Sequence, residues 1–313
     1  MSSLYRLYGL RLQSALPLPA PADRRATRPD TEIACGSAGR FAAIRRASGG
    51  PIDPTRWFHL RALPDGSRYL CWTGLFEFLV DRGGRRILAR PLAGARAMPR
   101  AFETYLLGQV LSFALLAQGR EPLHATCVVV GGEAIGFLGD CGQGKSTLAA
   151  AFVRGGHRLL TDDLLVLRAA RGGFLAHAGP ARIKLFPHAA RSVLGRRFTG
   201  SPMNGRTPKL VIPLDDGGDA PGRRAVPLRA LYVVRVGPVT APVTLRRLTP
   251  QEAFVELTRN TFNACDVGPH RLSRQLDVAA RVALAVPVKR LSYPRGFERL
   301  AGAREAVERD LSA

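Results

Sequence analysis

Eight consecutive residues, Gly139-Asp140-Cys141-Gly142-Gln143-Gly144-Lys145-Ser146, form a complete G-x-x-x-x-G-K-S, with Thr147 directly after it. Residue types at this spacing suit one task, the cradling of phosphates. Glycines let the backbone take turns closed to residues with a Cβ, so that several N–H groups converge on phosphate oxygens. Lys145 adds a mobile positive charge, and the Ser146 hydroxyl is a candidate ligand for Mg2+. A helix starting at this point would aim its N-terminus at the anion. The whole run 139–147 is therefore read as a nucleotide-binding loop, with ATP and Mg2+ as the expected ligands.

Two further features lie close in sequence. Asp162 and Asp163 come after a short apolar run, where a strand would end. One carboxylate there could hold metal while the other accepts a proton from an acceptor hydroxyl; equally, the pair could only terminate a strand and cap the next element. His124 begins the run that precedes the loop-bearing strand. A lone histidine is more often structural than catalytic, but its place beside the loop and the acids makes it a candidate. Downstream, Arg182, Lys184, Arg206, Lys209, Arg246 and Arg247 are the pool for a phosphate clamp or substrate contact. Lys184 and Lys209 stand out, because the chain has only four lysines among its 46 basic residues. Cys141 could permit redox inhibition of the loop, or merely fill it.

The elements that must hold these groups are set by periodicity. An apolar hairpin, 124–130 and 134–138, is closed by Gly131-Gly132 and enters the loop; a helix from Lys145 to about Arg154 leaves it and stops at Gly155-Gly156. A strand at 158–161 leads into the acidic pair. Extended runs at 181–186 and 209–213 flank a flexible basic loop, 196–208. Apolar strands come next at 228–236 and 243–248. Thr249, Pro250 and Glu252 form a capping-box start for a helix. Helices at 271–285 and 296–311 bracket a strand at 288–291. Before residue 95 the chain reads as strands (4–12, 58–62, 67–72, 75–81 and 86–90), with Asp65-Gly66 and Gly83-Gly84 as hairpin turns and a polar loop at 24–30. Helical spacing of Phe102, Tyr105, Leu106, Val110, Phe113 and Leu116 predicts one helix over 101–118. The expected division is a β-rich section, 1–95, and an α/β section carrying the chemistry, 96–313.

Composition limits the alternatives. The 313 residues, 46% hydrophobic and 22% charged, suit one large or two modest folded domains. The most apolar stretch, 105–117, is interrupted by Gly108, Gln109 and Ser112 and is too short to span a bilayer. Arg6, Arg11 and Gln13 stand where a secretory signal needs an unbroken apolar run, which points to the cytoplasm. Five scattered cysteines without a C-x-x-C pair suggest neither disulfides nor a zinc site. The net charge of +22 is spread along the chain as arginine pairs, among them Arg24-Arg25 and Arg223-Arg224, rather than gathered in a binding module. That pattern argues against a nucleic-acid groove and leaves an acidic peptide or protein partner open.

Taken in order, Leu123-His124, the hairpin, the loop at 139–147 and Gly155-Gly156-His157-Arg158-Leu159-Leu160-Thr161-Asp162-Asp163 resemble the catalytic domain of HPr kinase/phosphorylase. That family carries a Leu-His motif, a phosphate loop, an Arg-Gly-His-Arg-Leu segment and an Ala-Asp-Asp motif. The likeness is specific over 123–167. It departs at Thr147, where the family has Glu, and in 182–194 and 243–249, where a second signature is not preserved. The chain is more similar to the HPr kinase-related proteins of bacterial peptide-modification clusters, including kinases of lasso-peptide precursors. With these it shares Tyr8-Gly9-Leu10, Leu16-Pro17-Leu18-Pro19, Val286-Pro287-Val288 and Leu291-Ser292-Tyr293-Pro294.

The resemblance implies an α/β phosphate-loop kinase domain of the type shared with ATP-dependent phosphoenolpyruvate carboxykinases, behind a smaller β-rich section. It also implies ATP-dependent phosphorylation of a serine on a peptide or protein, and self-association, since the relatives form hexamers. Carried over by position, Asp162 is expected as general base, Asp163 with Ser146 as Mg2+ ligands, and Lys145 and His124 near the transferred phosphoryl. A small-molecule phosphotransferase of the same fold and a non-catalytic ATP-sensing module are the alternatives.

Overall fold

Short apolar alternations broken by turn residues dominate the N-terminal part, and they become strands. The computed structural model describes residues 2–20, 22, 28–196, 198–214, 225–264 and 268–313, with the backbone alone at 96, 97, 99 and 269. The expected loop at 24–30 lies largely outside the described residues, as do Arg223-Arg224 and Cys265. The chain divides into two compact units. One is Met1–Arg120 with Pro202–Thr207, the other Glu121–Ser201 with Pro208–Ala313. Residues 96–120, expected with the C-terminal section, thus group with the N-terminal one.

The first unit holds a seven-stranded sheet built from β1 (Ser3–Leu7), β2 (Leu10–Ser14), β3 (Thr31–Cys35), β4 (Phe58–Ala62), β5 (Arg68–Trp72), β6 (Phe76–Val80) and β7 (Arg86–Pro91), in the order β1-β2-β3-β7-β6-β5-β4. The predicted run 4–12 is two strands, because Tyr8 and Gly9 adopt positive φ and turn the chain back. On one face lies helix α1 (Ala38–Ala47), whose Phe41 and Ile44 pack with Tyr69, Cys71 and Leu88. There the buried Glu77 accepts hydrogen bonds from Tyr69 (2.6 Å) and Arg90 (2.9 Å) and pairs with Arg45, so its charge is matched.

Trp72, Phe76 and Phe78 stack with Phe102 and Tyr105 of the helical segment, with ring centroids 4.4 Å apart for Trp72–Tyr105. That segment is not one helix. It runs as α2 (Pro99–Tyr105), a π turn at Leu106–Val110 and α3 (Leu111–Ala117), the break coinciding with Gly108. Gly84 permits the close approach of this segment, since a Cβ there would meet the Ala114 carbonyl oxygen at 2.3 Å.

In the second unit, β8 (Leu123–His124) pairs with β12 (Leu164–Leu165). The main sheet contains β9 (Thr126–Val130), β10 (Glu133–Leu138), β11 (Arg158–Thr161), β13 (Leu167–Ala170) and β14 (Gly173–Ala176), joined further along the chain by β18 (Val226–Gly237), β19 (Thr244–Arg247) and β20 (Val288–Pro294). Between these along the chain come β15 (Arg182–Leu185), the short α5 (Pro187–Ala189) and β17 (Thr207–Pro213), while β16 (Ser201–Asn204) falls almost entirely in the first unit. The expected flexible loop 196–208 therefore contains a strand and a tight turn, in which Asn204 Oδ1 accepts from the backbone N–H of Arg206 (2.8 Å) and Thr207 (3.0 Å).

Three strands run parallel: β10, β18 (Val226–Gly237) and β20 (Val288–Pro294), with β19 (Thr244–Arg247) antiparallel beside β20. Helices α4 (Lys145–Arg154) and α8 (Leu300–Ser312) bury Leu148, Phe152, Leu300 and Val307 against one face. On the other, α6 (Pro250–Arg259) and α7 (Pro269–Ala285) bury Leu257 and Val282. Such layering puts the carboxyl ends of β10, β18 and β20 at one edge, where open α/β sheets bind ligands. The capping box of α6 forms as the sequence predicts, with Thr249 and Glu252 bonded reciprocally. No described helix is long and apolar enough to cross a membrane.

Candidate active site at the phosphate loop

Strand β10 ends at Leu138, and the next residues loop over the strand end into α4, whose first residue is Lys145. Gly139, Gly142 and Gly144 have φ of 141°, 87° and 81°, backbone that side chains rarely tolerate. At Gly144 a Cβ would also sit 2.8 Å from the Tyr293 hydroxyl, so the strand-end tyrosine packs directly on the loop. Gln143 Oε1 accepts from the Val236 N–H (3.3 Å), tying the loop to β18. Asp140 and Cys141 are exposed at its tip, and Thr147 is half-buried in the first turn of α4.

Lys145 is buried inside the loop, where Nζ donates to the carbonyl oxygens of Gly139 (2.6 Å) and Asp140 (3.2 Å). Burial lowers its pKa, and the nearby charges of Asp163, Cys141 and Asp162 oppose that shift. Ser146 Oγ donates to Asp162 Oδ1 (2.8 Å), which also accepts from Thr126 Oγ1 (2.8 Å). The second oxygen, Asp162 Oδ2, accepts from the backbone N–H of Lys184 (2.9 Å). Burial, reinforced by the charge of Asp163, raises the Asp162 pKa.

Asp163 behaves differently. Its φ of 72° turns the chain out of the strand direction, so its side chain leaves the Ser146 side and pairs with the Lys184 ammonium. Burial works against this carboxylate, but the charge of Lys184 outweighs it and holds the pKa at about 2. The expected partnership of Asp163 with Ser146 is thus not the one the side chains make. Asp162 takes that place, because it continues the line of β11 towards the loop while Asp163 turns away.

His124 lies across from the acids, its ring stacked on Phe262 with centroids 5.7 Å apart. Burial, then the Lys145 charge, lowers its pKa to about 4, so the ring is neutral at pH 7. Lys209 is near enough for its charge to act on His124, Lys145 and Asp163. The structure therefore brings together Lys145, Ser146, Asp162, Asp163, His124, Lys184 and Lys209.

Two contributors have no motif to announce them. Thr126 is a polar residue in an otherwise apolar strand, a weak signal. Asn260, the C-cap of α6, is buried and reaches the loop: its Oδ1 accepts from the Gly139 N–H (2.8 Å), and its Nδ2 donates to the Glu256 carbonyl (2.8 Å). The Asn260 carbonyl accepts from the His124 N–H (2.6 Å). One residue thus fixes both the start of the loop and the histidine strand. Among the described residues no group of three or more His, Cys, Asp or Glu converges on a metal position. The donors at hand are instead one hydroxyl and one carboxylate beside a phosphate loop, a set suited to a hard cation that keeps phosphate oxygens as its remaining ligands.

Comparison with known proteins gives a consistent direction. HPr kinase/phosphorylase of Brevibacillus brevis is 31% identical over 114 residues, 34% of this chain and 33% of that protein. The same enzyme of Lachnoclostridium phytofermentans is 43% identical over 49 residues, 16% of each chain. Over these stretches the chain is similar to HPr kinase/phosphorylase. It spans about a third of the length of the first of these relatives and less of the second. No family profile matches it. The solved Hpr(Ser) kinase/phosphatase of Coxiella burnetii aligns at a TM-score of 0.31 and 12% identity, over 61% of this chain and 97% of that one.

Proposed function

We propose that the chain is an ATP-dependent kinase that transfers the γ-phosphoryl group to a serine hydroxyl of a peptide or protein. The observation that carries this reading is the continuous polar chain Ser146–Asp162–Lys184–Asp163 at the mouth of a glycine-rich phosphate loop. A loop that only bound nucleotide would not need a second, separately oriented carboxylate beyond the first.

The residues divide the work by position. Amides of 139–146 and the α4 N-terminus receive the phosphates. Lys145 exchanges the Gly139 and Asp140 carbonyls for phosphate oxygens. Ser146 and Asp162 would hold Mg2+, which when bound neutralises phosphate charge. Asp163 faces the acceptor and orients its hydroxyl. As the serine oxygen forms its bond to the γ-phosphorus, the bond to the β,γ-bridging oxygen breaks, the hydroxyl proton passes to Asp163 and ADP leaves. A carboxylate held near pKa 2 is a weak base, so its part is chiefly orientation, with the proton arriving late in a loose transition state. Lys184 holds Asp163 in place, and neutral His124 lies beside the transferred group without adding charge. We assign the base role to Asp163 rather than Asp162 because three donors already engage the Asp162 oxygens.

Radiolabelled ATP with Mg2+ and an array of serine peptides tests the reading. Wild type should label serine. Asp163→Asn should bind nucleotide yet transfer at least a hundredfold more slowly, and Asp162→Asn should lose Mg2+-dependent nucleotide binding. Label confined to a small-molecule fraction, or equal rates in wild type and Asp163→Asn, would overturn it.

A further inference from the structure

The ribbon formed by β15 and β17 extends the site beyond the two aspartates. Antiparallel pairing sets Ile183 opposite Ile212, Lys184 opposite Val211 and Leu185 opposite Leu210. Residues directly opposite share a face, and faces alternate along each strand. Ile183, Leu185 and Ile212 point into the core and are buried there. Lys184 therefore points the other way, towards Asp163, as its ion pair shows.

One step past the last paired residues, extended Phe186, the cap of α5, and Lys209 continue that register onto the outer face. Lys209 Nζ lies 5.3 Å from the Phe186 ring centroid. Phe186 is 47% exposed, one of the few large apolar side chains left open in the described residues. The open aromatic ring with a lysine over it lies two residues past the lysine that grips Asp163. The core side of the ribbon is already filled.

Two residues of strand cover roughly 7 Å, the reach of about two residues of an extended acceptor. With its hydroxyl at Asp163, an acceptor serine would place the side chain two residues away over Phe186 and Lys209. An aromatic face takes an apolar side chain or stem, and the ammonium takes a carboxylate. Lys209, whose charge also reaches Asp163 and His124, sits against the ring where that side chain would lie.

We propose that Phe186 and Lys209 are the docking step for the acceptor, and that the acceptor is a polypeptide serine with a carboxylate side chain within two residues of it. This rests on the kinase reading above and goes beyond it by naming the chemistry next to the serine.

The test uses the full chain with Mg·ADP bound and two short fluorescent peptides that differ only in an aspartate or an asparagine two residues from their serine. Anisotropy titrations should show the acidic peptide binding about tenfold more tightly. Lys209→Ala should abolish that preference. Phe186→Ala should weaken both peptides at least fivefold. Arg171→Ala, an exposed charge in the β13–β14 turn, controls for attraction by the basic chain as a whole and should change nothing. Equal affinity for the two peptides, absence of binding, or a preference that survives Lys209→Ala would overturn the proposal. So would Phe186→Ala weakening ADP in place of peptide, since the ring would then be a base-stacking surface. If wild type failed to bind Mg·ADP at all, the kinase reading itself would fall.

Discussion

Asn260→Ala is the most informative single change, because Asn260 touches the phosphate loop without belonging to it. Its side chain is almost fully buried and makes two bonds of 2.8 Å, one accepted from the Gly139 N–H and one donated to the Glu256 carbonyl. Alanine leaves the backbone bond to His124 intact but orphans the buried Gly139 N–H. An unsatisfied buried donor costs about 1–3 kcal/mol. Either the protein carries that cost or the loop shifts to relieve it, and a shifted loop misplaces the amides that receive phosphate. On that basis Asn260→Ala should raise the Kd for Mg·ATP by roughly five- to thirtyfold, equivalent to about 1–2 kcal/mol, and lower the unfolding free energy of the nucleotide-free protein by a similar amount. Calorimetric titration and urea unfolding measure the two separately. Lost stability with a Kd within twofold of wild type would show that Asn260 only closes a helix end, and the positioning argument would be wrong.

The pH dependence of stability gives two further outcomes. His124 titrates near 4 in the fold against 6.5 when unfolded, so protons bind the unfolded chain more readily as pH falls. Wild type should lose up to roughly 3 kcal/mol between pH 7 and pH 4 through this residue, by the 1.36 kcal/mol per pKa unit of linkage. His124→Gln should remove that loss, and parallel unfolding curves for the two proteins would contradict it. Asp163 has the opposite profile: its depressed pKa adds stability that is present above about pH 3.8 and disappears as pH falls towards 2. Acid titration should therefore show a steeper decline in wild type than in Asp163→Asn over that range.

The parts of the site written contiguously were readable from the sequence. The loop 139–147 is a local motif, and the acidic pair sits at a strand end marked by apolar residues. Thr249 announced its capping box, and Asp65-Gly66 its hairpin between β4 and β5. What escaped depends on geometry that letters do not encode. A positive φ at Asp163 exchanges the two aspartates relative to Ser146. The backbone N–H that binds Asp162 carries no residue signature, and Asn260 is 121 positions from the glycine it holds. Period-3.6 spacing over 101–118 predicted one helix, and nothing in the run of apolar residues marks the π turn at Leu106–Val110. The β-rich section was expected to end at residue 95, yet the aromatic stacking of Phe102 and Tyr105 on Trp72 and Phe76 places the helical segment with the sheet.

A crystal structure of the protein with Mg2+ and a non-hydrolysable ATP analogue would test the account most directly. It should show the cation between Ser146 and Asp162, Lys145 moved onto the phosphates, and the γ-phosphorus turned towards Asp163 with room for an oxygen between them. A triphosphate lying away from residues 139–146, or a cation bound by Asp163 with Asp162 facing the acceptor side, would contradict it.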